Sequence, residues 1–86
     1  MAGKVHRIKC APEPFAAVKV GLKAFEFRLD DRDYQPGDVL VICEFDRLYG
    51  SGLTGDEVRR VVTYKLMGGA FGVPIGYCVL SLGAAP

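Results

Sequence analysis

Apolar and polar positions alternate along most of this chain, and the alternation falls into short runs. Val5 to Cys10 puts Val5, Arg7 and Lys9 on one side and His6, Ile8 and Cys10 on the other, the period of a β-strand. Pro12, Glu13 and Pro14 then open a helix over about residues 14–20, since proline is tolerated in a first turn and Glu13 suits the positive end. Phe15, Val18 and Leu22 make its apolar stripe, and Gly21 falls where a helix takes a left-handed C-cap. Lys23 to Leu29 alternates strictly, with Lys23, Phe25, Phe27 and Leu29 pointing one way and Ala24, Glu26 and Arg28 the other.

Asp30 to Asp38 is a polar turn region with Pro36-Gly37 at its tip. Val39 to Phe45 is a near-continuous β-branched run, which predicts a strand buried on both sides. Asp46 to Asp56 holds three glycines and reads as a loose hairpin loop. Glu57 to Leu66 alternates again, with Val58, Arg60, Val62, Tyr64 and Leu66 opposite Arg59, Val61, Thr63 and Lys65. A glycine-rich loop leads to a last strand over Tyr77 to Leu82. The order is strand, helix, four strands, which with one helix and short connections predicts a mixed or mainly antiparallel sheet. Curling that sheet removes exposed edges, so the expected fold is α+β, mainly β: a small, partly open barrel of five to six strands plugged by one short helix. Phe25, Phe27, Val41, Val62 and Leu80 are its expected core.

Composition narrows the class. Eighty-six residues, 50% hydrophobic and 24% charged, with four Tyr and five Phe, make a single domain over residues 1–86 and exclude a disordered chain. The net charge of +1 conceals segregation. Residues 1–28 carry six basic groups against two acidic, residues 29–57 two against eight, and residues 58–86 three against none. Cys10, Cys43 and Cys78 are odd in number and form no C-x-x-C, which argues against a disulfide framework and a zinc site and for a reducing compartment, the cytoplasm. His6 lies four residues before Cys10 without a second ligand pair, so neither a metal nor a cofactor is expected. Met1 to Lys9 has no apolar run, hence no signal peptide. Leu66 to Pro86 runs 21 residues without a charge, but its glycines and Pro74 favour loop plus strand over a membrane helix.

The segment with most chemistry is Gly21-Leu22-Lys23-Ala24-Phe25-Glu26-Phe27-Arg28. Glu26 and Arg28 share a strand face, and Lys23 sits at the helix–strand junction. Taken alone, that alternation is also what an exposed ion pair would give. Gly-x-Lys-x-x-Glu-x-Arg after a short helix resembles the signature of the ASCH superfamily, whose fold is similar to the PUA RNA-binding domain. His6 to Cys10, Pro12 to Phe15, Asp30 to Asp38, Leu53-Thr54-Gly55, Val62 to Tyr64, Phe71-Gly72, Gly76-Tyr77 and Val79 extend the resemblance to a short bacterial and phage branch of that superfamily. Leu53 departs from the pattern, an aromatic being expected before Thr54-Gly55.

The resemblance implies a PUA-like barrel with a charged cleft between helix and strands that takes RNA or a modified nucleoside. Lys23 and Arg28 would meet phosphate, Glu26 would accept from a base or act as a general base, and Lys9, Arg32 and Tyr34 would join them. Tyr34 and Tyr64 would stack on bases, although either is equally at home as a barrel residue. The first function expected is therefore an RNA- or nucleotide-binding module. The alternatives are a hydrolase acting on RNA or a modified nucleoside, with Lys23 and Glu26 as candidate catalytic residues, or an accessory domain that binds a protein partner through the acidic 30–57 stretch. In the acylcytidine amidohydrolases of the superfamily a Thr follows the Lys by three residues and a Glu stands downstream. Glu26 takes the first place here and residues 66–86 contain no carboxylate, which weighs against that chemistry.

Overall fold

The computed structural model describes residues 3–85. Its elements are β1 (Val5–Cys10), α1 (Pro12–Lys19), β2 (Phe25–Leu29), β3 (Val39–Phe45), β4 (Leu53–Met67) and β5 (Tyr77–Ala84). All five strands belong to one sheet in the order β1-β3-β4-β5-β2. β1 runs parallel to β3, and the other three pairings are antiparallel. The sheet curls into a half-barrel whose two edges, β1 and β2, bound a seam. This is the small, mainly β, one-helix architecture that the periodicity predicts.

The helix fills the inside of the curl. Phe15 and Val18 bury against Ile8 and Cys10 of β1, Leu40 and Ile42 of β3, Val62 of β4 and Cys78 and Leu80 of β5. Val41, Val62 and Leu80 are buried as expected. Leu22 is not part of the stripe, because α1 ends at Lys19 and Leu22 stands in the exposed turn beyond it. Gly21 takes φ of 86°, which a residue with a Cβ adopts only at a cost, and its N–H bonds Val18 O at 3.1 Å. Lys23 N–H then reaches back to Ala17 O at 3.0 Å, so the turn sets Lys23 at the mouth of the curl.

The facing of β2 is the reverse of the expected one. Phe25, Phe27 and Leu29 lie on the outer face, Phe27 being 50% exposed, while Glu26 on the inner face is 5% exposed. A period of two fixes which residues share a face but not which face meets the core. Here Phe15, Val18 and Tyr34 already fill the interior, and the inward positions of β2, opposite Leu80 and Cys78 of β5, go to Glu26 and Arg28 at the open seam. Phe25 and Phe27 are therefore not core residues.

β4 begins at Leu53, earlier than its alternation starts, and carries two irregularities. The one between Val62 and Tyr64 inserts Thr63 as an extra residue, which turns the remainder of the strand over. Tyr64 consequently faces out, and Lys65 faces in opposite Leu80, where its Nζ pairs with Asp30 at 2.9 Å. Asp38 ties three segments together. Its carboxylate accepts from Lys4 N–H at 3.0 Å and Gln35 N–H at 3.0 Å and bonds His6 Nε2 at 2.8 Å. His6 is thus a buried structural partner, with its ring edge on Tyr34. No helix among the described residues is long and apolar enough to cross a membrane.

Candidate functional site

The seam between β1 and β2 collects charge that a closed barrel would exclude. Glu26 projects inward from β2, and Lys23 Nζ stands 3.4 Å from its Oε1. The better bond of that ammonium goes to Phe25 O at 2.8 Å, and the same ammonium lies 4.8 Å from the Phe25 ring centre. Glu26 Oε1 is buried with no hydrogen-bond partner among the described residues. A buried carboxylate oxygen left in that state, with the Lys23 ammonium at 3.4 Å but not aligned for a hydrogen bond, gains from a further donor.

Arg28 shares the inner face of β2 and spans the seam, donating from Nη1 to Lys9 O at 3.3 Å. Arg32, on the loop after β2, donates to Arg7 O two residues along the same edge. The two guanidiniums thus satisfy carbonyls on the free side of β1, in place of the strand that would close the barrel. Cys10 completes the seam. Burial pushes its thiol up and Glu26 pushes it further, against the pull of Lys23 and Arg28, so it is a poor nucleophile.

Of the six site residues expected, Lys23, Glu26 and Arg28 come together at the seam. Lys9 contributes only its carbonyl, because its side chain leaves by the outer face and sits over the Phe45 ring at 4.7 Å. Arg32 is engaged with the β1 edge. Tyr34 is fully buried and has no ring face to offer a base. Burial pushes its phenol up while Arg28 and Arg32 pull it down. The Arg28 guanidinium lies beside the phenol oxygen without well-aligned geometry, and that oxygen is unpartnered. Tyr64 is exposed on the outer face, away from the seam.

Two residues enter that the periodicity did not single out. A groove of about 430 Å³ opens beside Lys23, lined by Val18, Gly21, Arg59, Arg60 and Leu82 among others. Its described lining includes three cationic side chains and no carboxylate. Arg60 spends Nη2 on Val18 O at 3.1 Å, neutralising the negative end of α1, and Nη1 on Arg59 O at 2.8 Å. The adjacent basic pair Arg59-Arg60, after which the sequence holds no Asp or Glu, is the signal that marks this groove in the sequence. Among the described residues no group of His, Cys, Asp and Glu is placed to hold a metal ion.

A family model described as "Domain of unknown function (DUF3850)" matches residues 5–82. The chain belongs to the DUF3850 family. An Escherichia phage P2 protein described as "Uncharacterized 12.9 kDa protein in GpA 3'region" is 40% identical to it over 63 residues, which is 73% of this chain and 55% of the relative. The chain therefore spans about half the length of that curated relative. The matched range of the DUF3850 domain takes in both edges of the seam, the 30–38 loop that carries Tyr34 and Asp38, and Arg59 and Arg60 on β4.

Proposed function

We propose that this DUF3850 domain is a binding module for single-stranded RNA or a nucleotide, acting in a reducing compartment such as the cytoplasm. The observation that carries the reading is the buried Glu26 Oε1, without a hydrogen bond among the described residues and 3.4 Å from Lys23 Nζ, where Lys23 in turn lines a groove whose described residues include three cations and no carboxylate. The groove holds phosphate, with Lys23 and Arg59 as its donors, and Glu26 accepts from the exocyclic amino group of a base. Its volume of about 430 Å³ suits one nucleotide, lying in the usual range of about 300–1,000 Å³ for small-ligand sites. The resemblance of Gly21 to Arg28 to the ASCH signature supports the same reading. Binding without turnover is favoured over hydrolysis because the thiol at the seam, Cys10, is held protonated by burial and by Glu26.

The test is fluorescence anisotropy with a labelled single-stranded oligonucleotide, with nucleoside monophosphates as competitors, at several salt concentrations. Binding weakens with salt, and Lys23→Ala and Arg59→Ala each lower affinity and flatten the salt slope by about one unit. Glu26→Gln changes base preference by about 1–3 kcal/mol. Oligonucleotide and nucleotide affinities that are absent in the parent, or equal in all three variants, refute the reading.

A further inference from the structure

The outer face of β2, β5 and the end of β4 is apolar. Phe25, Phe27 and Leu29 of β2 pair in register with Ser81, Val79 and Tyr77 of β5, and Tyr64 and Leu66 of β4 flank them opposite Ser81 and Val79. None of these eight side chains is charged, although 24% of the chain is. Five of them remain well exposed, Phe25 47%, Phe27 50%, Leu29 51%, Tyr64 62% and Tyr77 38%, and the other three are half-buried. Phe27 and Tyr77 already lean on one another, with ring centres 5.7 Å apart.

We infer that this face is the contact between two copies of the chain, packed sheet on sheet about a two-fold axis. The area reaches the floor for a weak specific interface. An aromatic side chain buries about 150–250 Å² when fully covered, so four at about half exposure, with Leu29, leave roughly 500 Å² open. That lies at the upper end of the largest apolar patch a monomer usually shows, about 300–600 Å². Two such faces together remove roughly 1,000 Å² from water, the size at which specific interfaces begin.

Charge selects the occupant. A face without charged side chains meets its own image without like-charge repulsion, whereas any contact between the acidic 30–57 stretches of two copies would be repelled. A nucleic acid would need a row of cations along its path, whereas none of these eight side chains is charged and Lys23 reaches only the edge, 4.8 Å from the Phe25 ring centre. Two twisted sheets stack at about 10 Å with strands roughly aligned, and a row of Phe, Val and Tyr side chains has the length to interdigitate there. This contact lies on the opposite side of β2 from Glu26, and the proposed RNA site touches only its edge, where Lys23 sits over the Phe25 ring.

The experiment is sedimentation velocity on the 86-residue chain from about 1 to about 100 µM, a range that brackets a micromolar dissociation constant. A species of twice 9.3 kDa that grows with concentration is expected. Phe27→Glu, and separately Tyr64→Lys, raise its dissociation constant at least about 30-fold, the size of a hot-spot loss, with an unchanged far-UV spectrum. Leu48→Glu, in the exposed loop before β4, leaves the dimer intact. A chain that stays monomeric throughout overturns the inference, as does a dimer indifferent to both outer-face variants. Loss of oligonucleotide binding in Phe27→Glu by a monomeric parent also overturns it, assigning the face to stacked bases instead.

Discussion

Replacing Asp38 with alanine removes one carboxylate and strands three donors at once. Asp38 is 3% exposed and takes the backbone N–H of Lys4 and of Gln35 and the Nε2 of His6, all within 3.0 Å. Hydrogen bonds to an ionised group are worth about 1.5–3 kcal/mol each, and a stranded buried donor costs about 1–3 kcal/mol. Lys4 and Gln35 are only partly buried at these bonds, so water recovers part of the loss, and a net cost of about 3–5 kcal/mol follows for Asp38→Ala. A domain of this length has about 4–13 kcal/mol to lose. Urea denaturation followed by far-UV circular dichroism measures it, and a slope of about 1–3 kcal/mol per molar makes the midpoint fall by roughly 2 M.

The same carboxylate sets the acid limb. Burial works to raise Asp38, but His6 and the two backbone donors outweigh it and hold it below the usual carboxylate range. A depressed folded-state pKa contributes stability that is complete above the unfolded value of about 3.9 and is lost as pH falls through the folded value. Acid unfolding of the parent is therefore steeper below about pH 4 than that of Asp38→Ala. His6→Ala, combined with Asp38→Ala in a double-mutant cycle, returns a coupling of about 1–3 kcal/mol. A loss under about 1 kcal/mol for Asp38→Ala, or parallel acid limbs, refutes the reasoning.

Phe27→Ala costs about 1–2 kcal/mol in chemical denaturation, because half the side chain is already in water, whereas Leu80→Ala costs about 2–5 kcal/mol; equal losses would restore Phe27 to the core. Tyr34→Phe is neutral or stabilising by up to about 1 kcal/mol in thermal melts, since the hydroxyl is buried without a partner, and a marked loss would show that oxygen to be bonded. Burial pushes the Cys10 and Cys78 thiols up and Cys43 is also buried, so a thiol reagent near neutral pH modifies none of the three until denaturant is added. Rapid labelling of the native chain would contradict that placement.

Local chemistry along the sequence determined the elements. Proline and glycine at the two ends of α1 bound it, and Pro36-Gly37 makes the turn before β3, closed by Asp38 N–H on Gln35 O at 3.0 Å. The β-branched run of β3 needed no context to read as a doubly covered strand. The shared face of Glu26 and Arg28 was legible too, because a strand period fixes it, whereas the same period puts Lys23 on the opposite face. Tertiary packing decided the rest. Alternation leaves the sign of a strand's facing open, and in β2 the sign was set by Phe15, Val18 and Tyr34 filling the curl first. One inserted residue at Thr63 reversed the end of β4 and carried Lys65 inward to Asp30. Lys9, Arg32 and Tyr34 left the expected site for an equally non-local reason: β1 presents an unpaired edge whose carbonyls draw the arginines, and the 30–38 loop drives Tyr34 into the core. Which charges converge on the groove depends on strands distant in sequence, β4 and the end of α1, being brought side by side, and no local pattern encodes that meeting.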